Sequence, residues 1–256
     1  MRTNDTGSGS VSTVRTAFRI VNAVQELDTP TISGIAEHLG LAKSTVHRHV
    51  KTLQDEEFVI ERNGHLEIGL RFLNHGTYAQ RNRDGYQEAE EKVEEIATET
   101  GELCTFIVRE QHMGYLLCAE KGPNAVETGD WVGKPVHLHA TAGGKAILAN
   151  MDRPAVESII DRTGLTPSTN ETITSKAALF DELDEIRAAG YAINREEHID
   201  GLNAVAVPIR GKNDELLGTL VVSGPTNRVQ GERLESELPD FLLGAANELE
   251  LNLTYS

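Results

Sequence analysis

The stretch HLGLAKSTVHRHVKTL, residues 38–53, decides the fold of the first part of the chain. A short helix is predicted from about Ile32 to Leu39. Gly40 ends it, because glycine accepts the left-handed conformation that a sharp turn requires. Another helix is predicted from about Lys43 to Leu53. Two helices joined by a turn that contains glycine form the helix–turn–helix pattern, which is typical of proteins that bind DNA.

The second of these helices has two contrasting sides when it is projected at about 100° per residue. Val46, Val50 and Leu53 share one side and predict a buried stripe. The other side and its flanks carry the candidate DNA-contacting residues, which are Lys43, Ser44, Thr45, His47, Arg48 and Lys51. Arg pairs with guanine edges, whereas Lys, Ser and Thr contact phosphates. A solvated helix face is the ordinary alternative, but this face has no acid before Asp55.

A helix is also predicted ahead of this pair, over residues 12–27. Ser12 or Thr13 is its expected N-cap. The apolar residues at helical spacing, and so the expected inner side, are Val14, Phe18, Val21 and Leu27. Thr31 or Ser33 is expected to start the next helix, whose buried residues are Ile35, Ala36 and Leu39.

Two short apolar runs, Phe58–Ile60 and Leu66–Ile68, follow the third helix. Asn63-Gly64 between them predicts a two-residue hairpin turn, since both central positions need a positive φ. Arg62 and His65 lie near the tip of this hairpin and are placed to contact phosphate. Three helices and such a wing predict a winged-helix DNA-binding domain over residues 12–75, after a flexible N-terminus at 1–11.

Charge is distributed unevenly along the chain. Residues 1–75 contain 8 Lys and Arg against 9 Asp and Glu, and the other 181 residues contain 16 against 31. A near-neutral segment beside an acidic one indicates a surface that tolerates an anion. Arg outnumbers Lys 16 to 8, and the acid is dispersed. This resembles proteins of organisms that accumulate molar salt, where screening over about 3 Å makes self-repulsion tolerable. An ordinary acidic cytosolic protein is the alternative.

Composition bounds the class of protein. The chain has 256 residues, enough for two domains, with 39% hydrophobic and 25% charged residues. It has no apolar run near the roughly 18 residues of a membrane span. Residues 1–10, MRTNDTGSGS, lack the apolar core of a signal peptide, so a cytoplasmic protein is expected. Cys104 and Cys118 are expected to be buried free thiols rather than a disulfide or a metal site.

The rest of the chain predicts an α+β domain with an antiparallel sheet. The predicted strands lie at 103–109, 114–121, 204–210 and 216–224. The predicted helices lie near 86–100, 142–150, 154–162, 176–189 and 230–253. Residues 76–100 are expected to contain a linker, of mixed character up to Arg83, and then the first of these helices, with Val93, Ile96 and Ala97 facing inward. Lys212-Asn213-Asp214 is expected to form the tight turn between the last two strands.

Two features invite an enzymatic or metal-binding interpretation. TAGGKA at 141–146 lacks the first glycine and the Ser or Thr after Lys145 that a Walker A loop requires. His137 and His139 face the same side, as a metal pair would, but no third ligand is spaced nearby. No Gly-x-Ser-x-Gly elbow is present. We therefore expect no enzyme activity, no cofactor and no metal. An enzyme fused to a DNA-binding domain is a remaining alternative.

Long stretches of the chain resemble IclR-type transcriptional regulators. Three resemble the winged helix of that family: STVRTAFRIVNAV (12–24), IAEHLGLAKSTVHRHVKTLQDEEFVI (35–60) and LEIGLRFLNHG (66–76). Three resemble its effector-binding domain: WVGKPVHLHATAGGKAILA (131–149), ELDEIRAAGYAINREEHIDGLNAVAVPI (182–209) and LLGTLVVSGPTNR (216–228). The resemblance covers about residues 12–253 and implies a GAF-like effector-binding domain at 86–256, preceded by a linker helix that takes part in dimerisation.

The resemblance also implies a function. It implies a repressor or activator of transcription whose operator binding is controlled by a small-molecule effector, with a dimer or tetramer as the working unit. One recognition helix reads only a few base pairs, so a symmetric dimer on a palindromic double-stranded operator is expected. Arg48 is expected to read bases and Lys51 to anchor phosphate. A DNA-binding protein that responds to no ligand is the other alternative.

The resemblance places an effector pocket as well. Its side chains and backbone contacts fall on Ala125, Ala142, Gly143, Asn194, Ala204, Val221 and Ser223, with Trp131 and His137 above them. Four of these positions, Asn194, Ala204, Val221 and Ser223, contribute side chains to the pocket. Family members that bind very small keto acids have Asp, Cys, Ser and Ser at these positions. Only Ser223 is the same in this chain. A roomier and less polar cavity is therefore expected, with a sugar acid, an aromatic acid or a longer carboxylate as ligand. N–H groups at the helix start near Ala142 suit a carboxylate.

Overall fold

The computed structural model describes residues 9–255 and divides them into two compact units. The first unit ends at Ala79 and the second begins at Gln80. Residues 1–8, most of the segment predicted to be a flexible N-terminus, lie outside the described residues. The division falls inside a helix, a few residues beyond the domain boundary that the sequence suggests at residue 75.

The first unit is a winged helix. It consists of α1 (Ser12–Glu26), α2 (Ile32–Leu39), α3 (Lys43–Asp55) and an antiparallel hairpin of β1 (Val59–Arg62) and β2 (His65–Ile68). The helix–turn–helix forms as predicted. Thr31 caps α2 by accepting a hydrogen bond from the N–H of Gly34 at 3.1 Å, and Gly40 ends it with a φ of 64°. The core contains Ile20, Ala23, Ile35, Val46, Val50, Val59 and Leu66.

The buried side of α1 differs from the predicted one. Val14 and Phe18 are 53% and 58% exposed, and Ile20, Ala23 and Val24 are buried instead. Only the second half of the helix joins the core of this unit, so the apolar side chains of the first half find no partner there. Neither Ser12 nor Thr13 caps the helix. Its N-cap position is Val11, without a capping side-chain bond.

Helix α4 (Arg71–Arg81) is not predicted by the residue pattern, although the resemblance implies a linker helix in this part of the chain. None of its described side chains is buried, although the ring of Phe72 packs 4.7 Å from that of Phe58. Without a buried side the helix leaves no clear periodic pattern in the sequence. Leu73 on this helix is 63% exposed, and Leu70 just before it is 82% exposed.

The second unit contains a six-stranded antiparallel sheet of order β5-β4-β3-β8-β7-β6. The strands are β3 (Leu103–Glu110), β4 (Met113–Lys121), β5 (Pro135–Val136), β6 (Ala192–Arg195), β7 (Leu202–Arg210) and β8 (Leu216–Pro225). The predicted α+β class is confirmed. β5 and β6, the two edge strands, were not predicted, because two and four residues are too few to show an alternating pattern.

Helices cover both faces of this sheet. They are α5 (Tyr86–Thr100), α6 (Ala142–Ala149), α7 (Arg153–Thr163), α8 (Lys176–Ala189) and α9 (Leu238–Tyr255). Helices α5 and α9 share a core with one face, and Cys104 and Cys118 are buried there as free thiols. Helices α6, α7 and α8 pack on the other face, which carries Ile107, Ala206 and Val221. A short π-helical turn, Arg233–Glu237, precedes α9.

Two further details concern the connections and the surface of the fold. The predicted turn between β7 and β8 forms, and Asn213 and Asp214 adopt positive φ values of 66° and 63°. Within residues 9–255, no helix combines the length and the apolar composition that crossing a membrane requires.

Candidate functional site

The outward face of α3 is polar and basic. Val46 and Val50 are buried, which turns Ser44, His47 and Arg48 to solvent together with Lys43 and Lys51. Thr45 is half-buried at the flank. The predicted candidate DNA-contacting residues of this helix are therefore brought together on or beside one surface.

The cationic side chains of this surface differ in their hydrogen-bond and ion-pair partners. Arg48 and Lys43 make no hydrogen bond or ion pair through their side chains with another described residue. Lys51 Nζ lies 3.3 Å from Asp55 Oδ1, and Arg62 Nη1 lies 3.4 Å from Glu67 Oε2. The sequence pattern did not show these two pairs, which place carboxylates beside two of the candidate phosphate contacts.

The wing is anchored next to this helix pair. Arg62 pairs with His65 across the hairpin, and Asn63 and Gly64 turn with φ values of 55° and 82°. The N–H of Leu66 donates to the carbonyl of Pro30 at 2.8 Å, which ties β2 to the segment before α2. Arg62 and His65 are exposed at the tip, as predicted from Asn63-Gly64.

A cavity of about 60 Å³ lies in the second unit, between one face of the sheet and the start of α6. Five of the predicted pocket residues line it: Ala142, Asn194, Ala204, Val221 and Ser223. A volume of this size holds on the order of four water molecules. The expectation of a roomier cavity than in relatives that bind very small keto acids stays a prediction, and a cavity of about 60 Å³ favours a small ligand.

The other four predicted pocket residues lie outside the lining of the cavity. Trp131 is 60% exposed, with its ring 5.0 Å from Lys134 Nζ. His137 packs against His139, with ring centroids 5.6 Å apart. Ala125 donates its N–H to the Gly122 carbonyl at 3.0 Å, in a turn that ends before the segment reaches the cavity.

Gly143 belongs to the packing of α6 against the sheet. A Cβ at this position would lie 2.8 Å from Thr219 Oγ1 and 2.9 Å from Val221 Cγ2. A Gly143→Val substitution would therefore disturb the core, because these distances are shorter than any side-chain contact tolerates. Gly143 is unsuitable for testing ligand binding alone, although the resemblance suggests it for that role.

Asn194 lines the cavity, but its amide is engaged with the backbone. Its Nδ2 donates to the Ala140 carbonyl at 2.8 Å, and its Oδ1 accepts from the N–H of Glu197 at 3.1 Å. Ser223, in contrast, makes no hydrogen bond through its hydroxyl with another described residue. Of these two polar side chains, Ser223 is the better placed to contact a ligand.

Sequence reasoning missed six polar residues that line the cavity, which are Thr105, Thr128, Asp130, Thr141, His198 and Asn203. Lys134 Nζ donates to Asp130 Oδ1 at 2.6 Å, and His198 Nε2 lies 3.5 Å from Asp130 Oδ2. Burial alone would raise the pKa of Asp130, but its interactions with His198 and Lys134 outweigh burial and lower that pKa. Asp130 is therefore ionised at neutral pH. These residues make the cavity more polar than the four predicted side chains, Asn194, Ala204, Val221 and Ser223, suggest.

Lys145 of the Gly-Gly-Lys motif is fully buried. Its Nζ donates to Glu182 Oε1 at 2.7 Å and to Glu197 Oε1 at 2.6 Å. Burial raises the pKa of Glu197, although Lys145 opposes that effect. The lysine thus joins α6 to α8 and to the segment between β6 and β7, next to the cavity that Asn194 lines.

The paired histidines of VHLHA are structural groups in this fold. His139 Nε2 lies 3.1 Å from the Thr166 carbonyl oxygen. Burial lowers the pKa of His137 and of His139, so both rings are neutral at pH 7. In the described part of the chain, no group of three His, Cys, Asp or Glu side chains lies where it could hold a metal ion.

A winged helix with a basic outward face, followed by an α+β unit whose cavity is lined by apolar and polar side chains, defines a class of protein, the regulators that bind DNA and sense a small molecule. The IclR helix-turn-helix domain model matches residues 13–62, and the model of the bacterial transcriptional regulator IclR C-terminal domain matches residues 78–251. The chain belongs to the IclR family of transcriptional regulators. The predicted family is confirmed.

Individual relatives agree with the family models. The chain is 29% identical to the probable HTH-type transcriptional regulator ArcR of Halobacterium salinarum, over 95% of this chain and 94% of ArcR. It is 30% identical to the HTH-type transcriptional repressor AllR of Klebsiella pneumoniae, over 81% of this chain and 77% of AllR. The crystal structure of Thermotoga maritima IclR superimposes with a TM-score of 0.76 at 27% identity, over 95% of this chain and 99% of that one. These relatives are regulators of transcription and not enzymes.

Proposed function

We propose that the chain binds a palindromic operator as a homodimer through the outward face of α3, and that a small organic acid in the cavity changes this binding. The observation that carries the DNA-binding part is the charge of α3. From Lys43 to Gln54 the helix has no acidic residue, although the chain has a net charge of −16. A surface without acid approaches polyanionic DNA with the least repulsion.

The contacts within this surface support different roles for its cations. Arg48 has no partner to give up, so its guanidinium is available for two hydrogen bonds to a guanine edge. Lys51 and Arg62 exchange a carboxylate for a phosphate, which costs little because exposed ion pairs contribute about 0–1 kcal/mol. We assign Arg48 to base reading. The phosphate-contacting group is then Lys43, Ser44, Thr45, His47, Lys51 and Arg62.

The apolar surface of the first unit supports the proposal that a second copy of this chain packs there. Val14, Phe18 and Leu73 are exposed there. Beside them lies a groove of about 310 Å³, lined mostly by apolar side chains that include Val21 and Phe58. A palindromic operator requires two DNA-binding units related by a two-fold axis, with half-sites about 34–36 Å apart. The apolar surface lies in the unit that must be paired.

The start of α6 supports an acid as the ligand of the cavity. Thr141 Oγ1 accepts from the N–H of Gly144 at 3.0 Å, and the Thr141 carbonyl accepts from the N–H of Lys145 at 2.9 Å. The N–H of Ala142, whose residue lines the cavity, has no such partner among the described residues. A free N–H at a helix start binds a carboxylate well.

The DNA-binding proposal is tested with duplexes selected in vitro from random sequences. Arg48→Ala should weaken binding by about 1–3 kcal/mol and relax the preference at one base pair of each half-site. Lys51→Ala should weaken binding to all duplexes alike. Arg162→Ala removes the same charge from α7 and serves as the control. Unchanged binding in both α3 variants would show that α3 does not read DNA.

The effector proposal is tested by titrating two- to four-carbon acids against the protein–operator complex and measuring fluorescence anisotropy of the labelled duplex. We expect at least one acid to shift the dissociation constant. Ser223→Ala should reduce that shift while leaving the affinity of the ligand-free protein unchanged. If no acid shifts it, the chain is a DNA-binding protein that does not respond to this class of ligand.

A further inference from the structure

We propose that Asp130 and His198 bind a hydroxyl group inside the cavity, so that the effector is a small hydroxycarboxylate and not the keto acid or unsubstituted acid of equal length. This inference rests on the effector role proposed above for the cavity. It names the chemistry of a second polar group of the ligand, besides its carboxylate.

The first observation concerns the ring of His198. Its Nδ1 and Nε2 are both buried, and neither has a hydrogen-bond partner in the described part of the chain. Nε2 approaches Asp130 Oδ2 to 3.5 Å, which is longer than a good hydrogen bond. Buried polar atoms are nearly always paired. A residue that lines a cavity and keeps such atoms unpaired is placed to pair them with a ligand.

The second observation concerns the carboxylate of Asp130, whose side chain is 12% exposed. Lys134 Nζ donates a hydrogen bond to Oδ1 at 2.6 Å, and Oδ2 is the oxygen that faces His198. Asp130 is ionised, because His198 and Lys134 lower its pKa against the effect of burial. Oδ2 is therefore an acceptor with no donor at normal hydrogen-bond distance.

Among ligand groups with a single polar atom at neutral pH, a hydroxyl satisfies both atoms at once. A hydroxyl donates its proton to Asp130 Oδ2 and accepts a hydrogen bond from the Nε2–H tautomer of His198. A keto oxygen cannot donate, and it would place its lone pairs against an ionised carboxylate. An ammonium group cannot accept from His198, and a methylene group does neither. A binding site rejects analogues that leave its buried polar groups unpaired.

The test uses isothermal titration calorimetry on the full-length protein in molar KCl, with acids in matched sets. One set is lactate, pyruvate and propionate, and the other is 3-hydroxybutyrate, acetoacetate and butyrate. In at least one set we expect the hydroxy acid to bind at least about tenfold more tightly than its two partners, in line with the loss caused by unpaired polar groups.

Asp130→Asn makes the test specific. The Lys134 ammonium attracts the amide oxygen, so the amide NH₂ takes the place of Oδ2 and offers a donor instead of an acceptor. We expect the preference for the hydroxy acid to disappear or to invert towards the keto acid. Asp200→Asn, an exposed carboxylate two residues after His198, is the matched control and should keep the preference. If Asp130→Asn does not fold, His198→Leu should lose the preference instead.

The outcomes separate this inference from the proposal beneath it. Acids that bind without a preference for the hydroxyl would overturn the hydroxyl-binding pair and leave the effector cavity in place. A hydroxyl preference that survives in both Asp130→Asn and His198→Leu would overturn the assignment to these residues. If no acid in either set binds, the effector role fails, and the present inference fails with it.

Discussion

The two units of the chain differ in where they keep their polar and apolar groups. Residues 1–79 contain 8 Lys and Arg against 9 Asp and Glu, and residues 80–256 contain 16 against 31. The nearly neutral first unit exposes large apolar side chains such as Val14, Phe18 and Leu73. The acidic second unit has two large buried cores, one on each face of its sheet, and a cavity that contains polar side chains such as Asp130 and His198.

This difference teaches that the two units meet different kinds of partner. The first unit is a helix-turn-helix domain, which implies DNA binding, so its specific groups must lie on its outside. The second unit recognises a small molecule, so its specific groups lie inside, and its outer surface is free to be acidic. Acid on that surface also repels DNA, so we expect DNA contact to be confined to the first unit.

The largest effect is expected from Lys145→Met, which leaves Glu182 and Glu197 without their buried cation. Removing one partner of a buried ion pair costs about 3–5 kcal/mol. Urea unfolding followed by circular dichroism should show this loss in the transition of the second unit only. Lys176→Met breaks an exposed pair with Asp161 and should cost less than about 1 kcal/mol. An equal loss in the two variants would contradict the buried role of Lys145.

The substitution Phe18→Ser removes an exposed aromatic side chain from the apolar surface of the first unit, where we propose that a second copy packs. We expect self-association to weaken by about 2 kcal/mol, as when an aromatic side chain at the centre of an interface is removed. Folding of the monomer should change by less than about 0.5 kcal/mol, because Phe18 is exposed. Sedimentation velocity over a concentration series measures the association. Leu251→Ser, also at an exposed apolar residue but in the second unit, is the control. A destabilised monomer would place Phe18 in the core.

Salt should change the stability of the two units to different extents, because the units differ in net charge. The distance over which charges interact shortens from about 10 Å at 0.1 M salt to about 3 Å at 1 M. We expect the second unit to gain stability over this range and the first unit to change little, because repulsion between acidic groups is concentrated in the second. Thermal unfolding at several KCl concentrations provides the measurement. Equal shifts in both units would show that the charge asymmetry has no bearing on stability.

The smallest effect is expected from pH. The pKa values of His137 and His139 lie below the ordinary 6.5 because of burial. The unfolded chain therefore binds more protons than the folded one as the pH falls below about 6.5, and the free energy of unfolding should decrease there. Unfolding midpoints of the second unit between about pH 8 and 5 test this. His139→Gln should show a weaker dependence. A constant midpoint would contradict the burial of neutral rings.

Sequence reasoning succeeded where one side of an element is buried. Val46 and Val50 mark α3 because the core selects apolar residues at helical spacing, and Asn63-Gly64 marks the wing because few residues adopt its positive φ values. It failed where no such selection acts. Helix α4 buries none of its described side chains, and β5 is two residues long. Neither element has a repeating pattern to detect.

The residues of the candidate site also divide into those that the sequence predicted and those that only the structure shows. Ser223 and Ala204 were found because they lie in recognisable strands, where the resemblance fixes their positions. Asp130 and His198 lie between strands, in segments whose course depends on tertiary contacts. Asp130 and Lys134 are spaced four apart, but that spacing predicts no pair outside a helix, where it has no fixed geometry. Their place in the cavity follows only from the folded structure.

Trp131 gives the protein a light-emitting reporter of its own. It is the single tryptophan of the chain, and it follows Asp130 directly. Lys134 Nζ lies 5.0 Å from its ring and 2.6 Å from Asp130 Oδ1, so one ammonium group touches both. A ligand that forms a hydrogen bond with the Asp130 carboxylate also affects the Lys134 ammonium, and so changes the electric field at the Trp131 indole. Occupancy of the cavity can then be followed by intrinsic fluorescence in the unlabelled protein, without interference from the DNA-binding unit.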